Sequence, residues 1–162
     1  MAWADSVWKS KSMSQENNQA ANHKRQVSRR LALQALYQWQ FTQDASNELI
    51  DQYKDDEYWP KADHEYLAQL VKGCIEQVNE LDEKINASSE YSVDKIDPIE
   101  LASLRLAVFE LLNSFQVPDK VIVAEAIRLC KKFGSDEGFK LVNAVLDKLI
   151  NQIDRAELVK SS

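Results

Sequence analysis

"HKRQVSRRLALQALYQWQF", residues 23–41, carries the fold in its spacing. Leu31, Ala32, Leu33, Ala35, Leu36, Tyr37, Trp39 and Phe41 cover most of a helix circumference and leave a narrow polar row at Arg30, Gln34 and Gln38. A helix that is apolar nearly all round must be covered by neighbours on several sides. The segment is therefore expected as a central helix, from near His23 or Val27 to about Gln43. The same stretch opens with Lys24, Arg25, Arg29 and Arg30, four bases within seven residues and no acid among them, although the chain has a formal charge of −6.

Working outward, residues 1–22 are mostly small and polar without sustained periodicity, and read as a flexible N-terminal extension. On the other side, Asp44 to Glu65 holds eight acids against two lysines, a net of −6 that equals the charge of the whole chain. The remainder is neutral on balance, so a local basic patch can meet phosphate while the acidic face points elsewhere. A short acidic helix is expected from Ser46, as N-cap, toward Lys54, ended by Trp59-Pro60. A third helix is expected over roughly residues 62–87, where Tyr66, Leu67, Leu70, Cys74, Ile75, Val78, Leu81 and Ile85 keep the three-and-four spacing of one buried face.

"NASSEYSVDKIDP" breaks that period and places Asp97 and Pro98 as N-cap and first residue of a fourth helix. There Leu101, Leu104, Val108, Leu111, Leu112 and Phe115 make one stripe, and Glu100, Ser103 and Glu110 mark another. A fifth helix follows "QVPDK" and is expected to close on Gly134 at the C′ position. Ser135 would cap a sixth, with Asp136 and Glu137 at its positive end. Three glycines and three prolines in 162 residues favour an all-α class over a turn-rich β fold.

Those three glycines cannot assemble a P-loop or a dinucleotide fingerprint. His23 and His64 have no local nucleophile to activate, Cys74 and Cys130 read as buried thiols rather than a zinc set, and Asp55-Asp56 and Asp136-Glu137 read as solvated charge. No catalytic residue, metal or cofactor is expected. No apolar run approaches the ~20 residues of a membrane span, and a cytoplasmic protein without membrane contact is expected. The basic cluster is either a solvated helix start or a nucleic-acid site. Cations at a helix N-terminus oppose its dipole, which hints at a use other than helix stability. Tyr37 is either a core aromatic or a stacking or partner contact. Arg105, inside the most apolar helix, is expected to pair with an acid of the same chain such as Glu125.

"RRLALQALYQWQ" (29–40), "DPIELASLRLAVFELL" (97–112) and "VPDKVIVAEAIRLCKKFGSDEGFKLVNAVLDK" (117–148) resemble, in order and spacing, the segments that identify the NusB family of bacterial transcription antitermination factors. The resemblance runs from about residue 24 to residue 152. It implies two packed three-helix bundles in one domain, residues 23–162, with sub-bundles of about 23–88 and 89–155. It further implies a non-enzymatic role in ribosomal RNA transcription, in which the protein pairs with NusE, a small-subunit ribosomal protein, binds boxA RNA and joins an antitermination complex on RNA polymerase. Some family members are homodimers that mask the RNA face, and a NusB-like domain also precedes certain ribosomal RNA methyltransferases. On this resemblance Lys24, Arg25, Arg29 and Arg30 meet RNA, as do Glu137, Lys140 and Leu141 at the start of the last helix, while Tyr37 and Glu100 face NusE. Gln26, Val27 and Ser28 interrupt the family's fuller arginine run, and Leu141 stands where relatives can present an aromatic.

Overall fold

The computed structural model describes residues 2–161, with side chains described from Met13 onward. Its first helix, α1, runs from Ala2 to Thr42. It thus begins well before the start expected near His23 or Val27, and the described side chains of residues 13–24 are all exposed. The helix stops where Gln43 takes φ 56°, the left-handed turn that ends many helices, with the Gln43 amide donating to Trp39 O at 2.9 Å.

The short α2 (Ser46–Asp51) buries only Leu49, and Ala45 rather than Ser46 occupies its N-cap position. A single 3₁₀ turn at Trp59–Lys61 leads to α3 (His64–Glu76), whose N-terminus is capped by Asp63 Oδ1 accepting the Tyr66 amide at 3.0 Å. The single third helix expected from the periodicity is two. At Gln77 (φ −102°, ψ 14°) the chain leaves the helical basin, and α4 (Val78–Ser88) begins there. The break goes with a change of neighbours: both helices lie against α5, but α3 also packs on α1 and α2 whereas α4 packs on α7.

Helices α5 (Pro98–Asn113), α6 (Asp119–Phe133) and α7 (Gly138–Gln152) follow, with a terminal α8 (Arg155–Ser161) that the periodicity does not announce. Asp97 and Pro98 stand at N-cap and N1 of α5 as expected. The expected two stripes of α5 are not separated, because it packs against α1, α3, α4, α6 and α7, and every residue from Glu100 to Leu111 is buried except the half-buried Arg105. The architecture is two packed three-helix bundles, all α, with α1 and α5 carrying the core that joins them. Among the described residues no helix is long and apolar enough to cross a membrane.

Candidate nucleic-acid and partner interface

The body end of α1 sorts its four bases into different environments. Lys24 is exposed and Arg25 half-buried, its guanidinium 5.3 Å from the Tyr66 ring centroid. The residues between them and the next bases are engaged inward. Gln26 Nε2 donates to Glu125 Oε1 at 2.8 Å, Val27 is buried, and buried Ser28 Oγ accepts the Asp63 amide at 2.9 Å while lying 2.8 Å from the Asp63 carbonyl. What reads in sequence as a thinned arginine run is thus the seam that holds α1 to α3 and α6.

Arg29, expected at RNA, is placed elsewhere. Its side chain is 4% exposed and its Nε lies 3.0 Å from both carboxylate oxygens of Glu110, which is 2% exposed. The Tyr66 hydroxyl donates to the same carboxylate, and the Arg29 guanidinium lies 5.7 Å from the Tyr66 ring. Burial raises the Glu110 carboxyl above its ordinary range, although Arg29 and Tyr66 pull it back. Burial and the neighbouring Glu110 push the Tyr66 phenol up to about 12. A cation this deep holds an internal acid and is withheld from phosphate.

Arg30, one residue on, points the other way. Its guanidinium lies 4.1 Å from the Tyr58 ring centroid and 5.0 Å from that of Phe133. Lys61 shares the Tyr58 ring at 5.6 Å and Lys132 the Phe133 ring at 5.8 Å, so three cations are threaded through two aromatics. Arg30 thereby brings the α1 bases to the α6–α7 joint, where Lys131 Nζ also lies 4.7 Å from the Phe139 ring. Sequence reasoning missed Lys61, Lys131 and Lys132. The dibasic pair just before Phe133-Gly134 was the available signal.

A groove of about 450 Å³ follows α1, lined by Leu33, Tyr37, Phe41, Tyr53, Ile99 and Phe133. Tyr37 and Phe41 stand 39% and 65% exposed with their rings in edge contact at 5.2 Å. Gln34 and Gln38 of the polar row on α1 border this groove. Gln38 Nε2 donates to Gln52 Oε1 at 2.7 Å, whereas Arg30 Nε and Gln34 Oε1 are buried without a hydrogen-bond partner.

Glu100 does not stand off the core. It is 2% exposed, and its Oε1 accepts both the Ser135 amide at 3.1 Å and the Ser135 hydroxyl at 2.9 Å. That carboxylate dictates the joint. A Cβ at Gly138 would overlap Glu100 Oε1, and one at Gly134 would come within 2.9 Å of it. Gly134 accordingly sits in extended backbone (φ −91°, ψ −173°), not in the left-handed conformation expected of a helix-ending glycine, and Ser135 bonds to Glu100 instead of capping α7.

At the start of α7, exposed Glu137 and Lys140 pair with each other at 2.7 Å. Leu141 is half-buried and packs on the core, as does Phe139, so Leu141 has only part of its surface to offer a ligand. Arg105 pairs within the chain as expected but with Asp82 rather than Glu125: Nε to Oδ1 and Nη2 to Oδ2 are both 2.9 Å. Glu125 is held by Gln26 and Arg128. Cys74 and Cys130 are buried free thiols, raised by burial, and no metal-binding group of His, Cys, Asp and Glu exists among the described residues.

Comparison with known proteins places this arrangement. The sequence model of the NusB family matches residues 26–151. The transcription antitermination protein NusB of Psychromonas ingrahamii is 39% identical over 133 residues, covering 82% of this chain and 92% of that protein. That of Coxiella burnetii is 40% identical over 132 residues, covering 82% and 96%. A crystal structure of antitermination factors NusB and NusE in complex with dsRNA has a similar fold, with a TM-score of 0.68 at 24% identity over 79% of this chain and 96% of that one.

Proposed function

The chain belongs to the NusB family, and on that premise we propose that it is a non-catalytic transcription antitermination protein that binds boxA RNA together with NusE and supports ribosomal RNA transcription. As part of an antitermination complex on RNA polymerase it works in the cytoplasm. The observation that supports the reading most is the match to the family over residues 26–151, which spans both the body of α1 and the α6–α7 joint.

The RNA surface is Lys24 and Arg25 on α1, Arg30 at the hinge of the two regions, and Lys140 with Glu137 and Leu141 at the start of α7. Lys140 leaves Glu137 for phosphate at little cost, since an exposed i,i+3 pair contributes only a few tenths of a kcal/mol. Arg29 serves this surface from behind, by fixing the helix that carries the others. Tyr37 lies on the NusE face. Glu100 acts on that face through the joint it shapes and not by direct contact.

Titration of boxA RNA and a scrambled RNA across salt concentrations, with the protein alone and with NusE, tests the reading. Four phosphate contacts to a single strand give a slope of log affinity against log salt of about −3. Tighter binding to boxA than to scrambled RNA, strengthened by NusE, is the expected result. Equal weak binding to both RNAs with and without NusE would overturn it.

A further inference from the structure

Where α1 passes the α5–α6 connection, the two do not close on each other. They leave a pocket of about 300 Å³, at the lower end of the range for sites that bury a small ligand, about 300–1,000 Å³. Asn22, Arg25, Gln26 and Arg29, spaced three and four apart and so on one face of α1, form one wall. Val117, Pro118 and Val121 form an apolar strip opposite. Val121 stands 42% exposed in the first turn of α6, outside the core.

The charges around the pocket sort into spent and unspent. Arg29 is spent on Glu110, and Glu125 on Gln26 Nε2 and Arg128. Asp119 and Lys120, beside the apolar strip, are of opposite sign and cancel. That leaves Arg25, which contacts the Tyr66 ring but forms no ion pair among the described residues. Exposed Lys24 precedes it on α1. Gln116, which also lines the pocket, is exposed and makes no side-chain hydrogen bond among the described residues, and Gln26 keeps its Oε1 as an acceptor. One unmatched cation, an apolar strip and open amide groups fit a planar heterocycle that carries a phosphate. Sequence-specific RNA binding works on such bases, splayed out of the strand and hydrogen-bonded along their edges.

We propose that this pocket takes one unstacked nucleobase of the bound RNA, its face against Val117, Pro118 and Val121, its edge on the Gln116 amide and Gln26 Oε1, and its phosphate on Arg25. This rests on the reading that the basic cluster of α1 meets RNA, and it adds a base-reading site and a specificity-determining residue, Gln116, that lies outside α1.

The test compares Gln116→Ala, Val121→Ala and Arg25→Ala with the unaltered protein, all with NusE present. The probes are boxA RNA, a scrambled RNA, and boxA RNAs that each lack one base but keep its sugar and phosphate. Gln116→Ala and Val121→Ala should each weaken boxA binding about fivefold to tenfold. Their thermal midpoints and salt slopes should stay unchanged, because both residues are exposed and uncharged. One of the abasic RNAs should bind the unaltered protein comparably weakly, and on that RNA alone neither substitution should cost anything further. A structural role for Gln116 or Val121 would instead lower the midpoint and weaken every abasic RNA alike. If the two substitutions leave boxA binding unchanged, or cost the same on every abasic RNA, while Arg25→Ala still shallows the salt slope, the base pocket is wrong and the RNA surface stands. If the unaltered protein does not prefer boxA to scrambled RNA, the reading beneath it fails and the pocket falls with it.

Discussion

Arg29 and Arg30 are neighbours in sequence with identical side chains, yet one is sealed against Glu110 and the other, half-buried, lies between Tyr58 and Phe133. Consecutive residues on a helix point about 100° apart, so the pair straddles the boundary between core and exterior. Arg29→Met should cost about 3–5 kcal/mol, because it leaves Glu110 charged and unpaired in the interior; urea unfolding checks this, and adding Glu110→Leu should recover part of the loss. Tyr66 adds a pH signature. Its folded pKa, about 12, lies above the unfolded value near 10, so its contribution is fully present below pH 10 and is lost as pH rises toward 12. Denaturant midpoints at pH 9 and pH 11 should therefore differ more for the unaltered protein than for Tyr66→Phe. Gly138→Ala should lower stability by about 1–3 kcal/mol through its collision with Glu100; the thermal midpoint reads it, and Glu100→Ala in the same chain should lessen the effect.

Among the elements, the small α8 is held from its first residue. Arg155 donates from Nε to Leu111 O at 3.0 Å, from Nη1 to Val117 O at 2.9 Å and from Nη2 to Ser114 O at 2.9 Å. It thus places a cation and three donors on carbonyls at and just beyond the negative end of α5. A lysine has no fork to span three carbonyls. Arg155→Lys should release α8, seen as faster amide exchange from residues 155–161, with a loss of about 1–2 kcal/mol in the urea midpoint analysis. Neither this clamp nor the break at Gln77 had a sequence signal. No glycine or proline marks residue 77, and the apolar period runs through it because both α3 and α4 need a buried face. The buried faces of α3, α4, α6 and α7, the Asp97-Pro98 start of α5 and the central α1 were legible, since they depend on side-chain spacing alone, whereas the stripes expected on α5 were lost to its burial on all sides.

At the scale of the whole molecule, a net charge of −6 coexists with a local basic cluster midway along α1 because the acids are concentrated between residues 44 and 65. Removing both Lys24 and Arg25 by alanine substitution should shallow the salt dependence of RNA binding by about 1.4, two single-strand contacts at ~0.7 each, without moving the thermal midpoint. Arg29 substitutions should act instead through stability. Composition and periodicity determined the helical class and most of the buried helix faces, and the residues of three segments, 29–40, 97–112 and 117–148, carried the family resemblance, because all of these are properties of order along the chain. Which bases reach solvent was decided only by tertiary packing, as was the partner of Arg105 and the role of Glu100 as the anchor of the α6–α7 joint. The physical reason is that a charged side chain is stabilised either by water or by an opposite charge brought from far along the chain, and Glu110, eighty-one residues from Arg29, becomes its neighbour only when α5 is packed between the bundles.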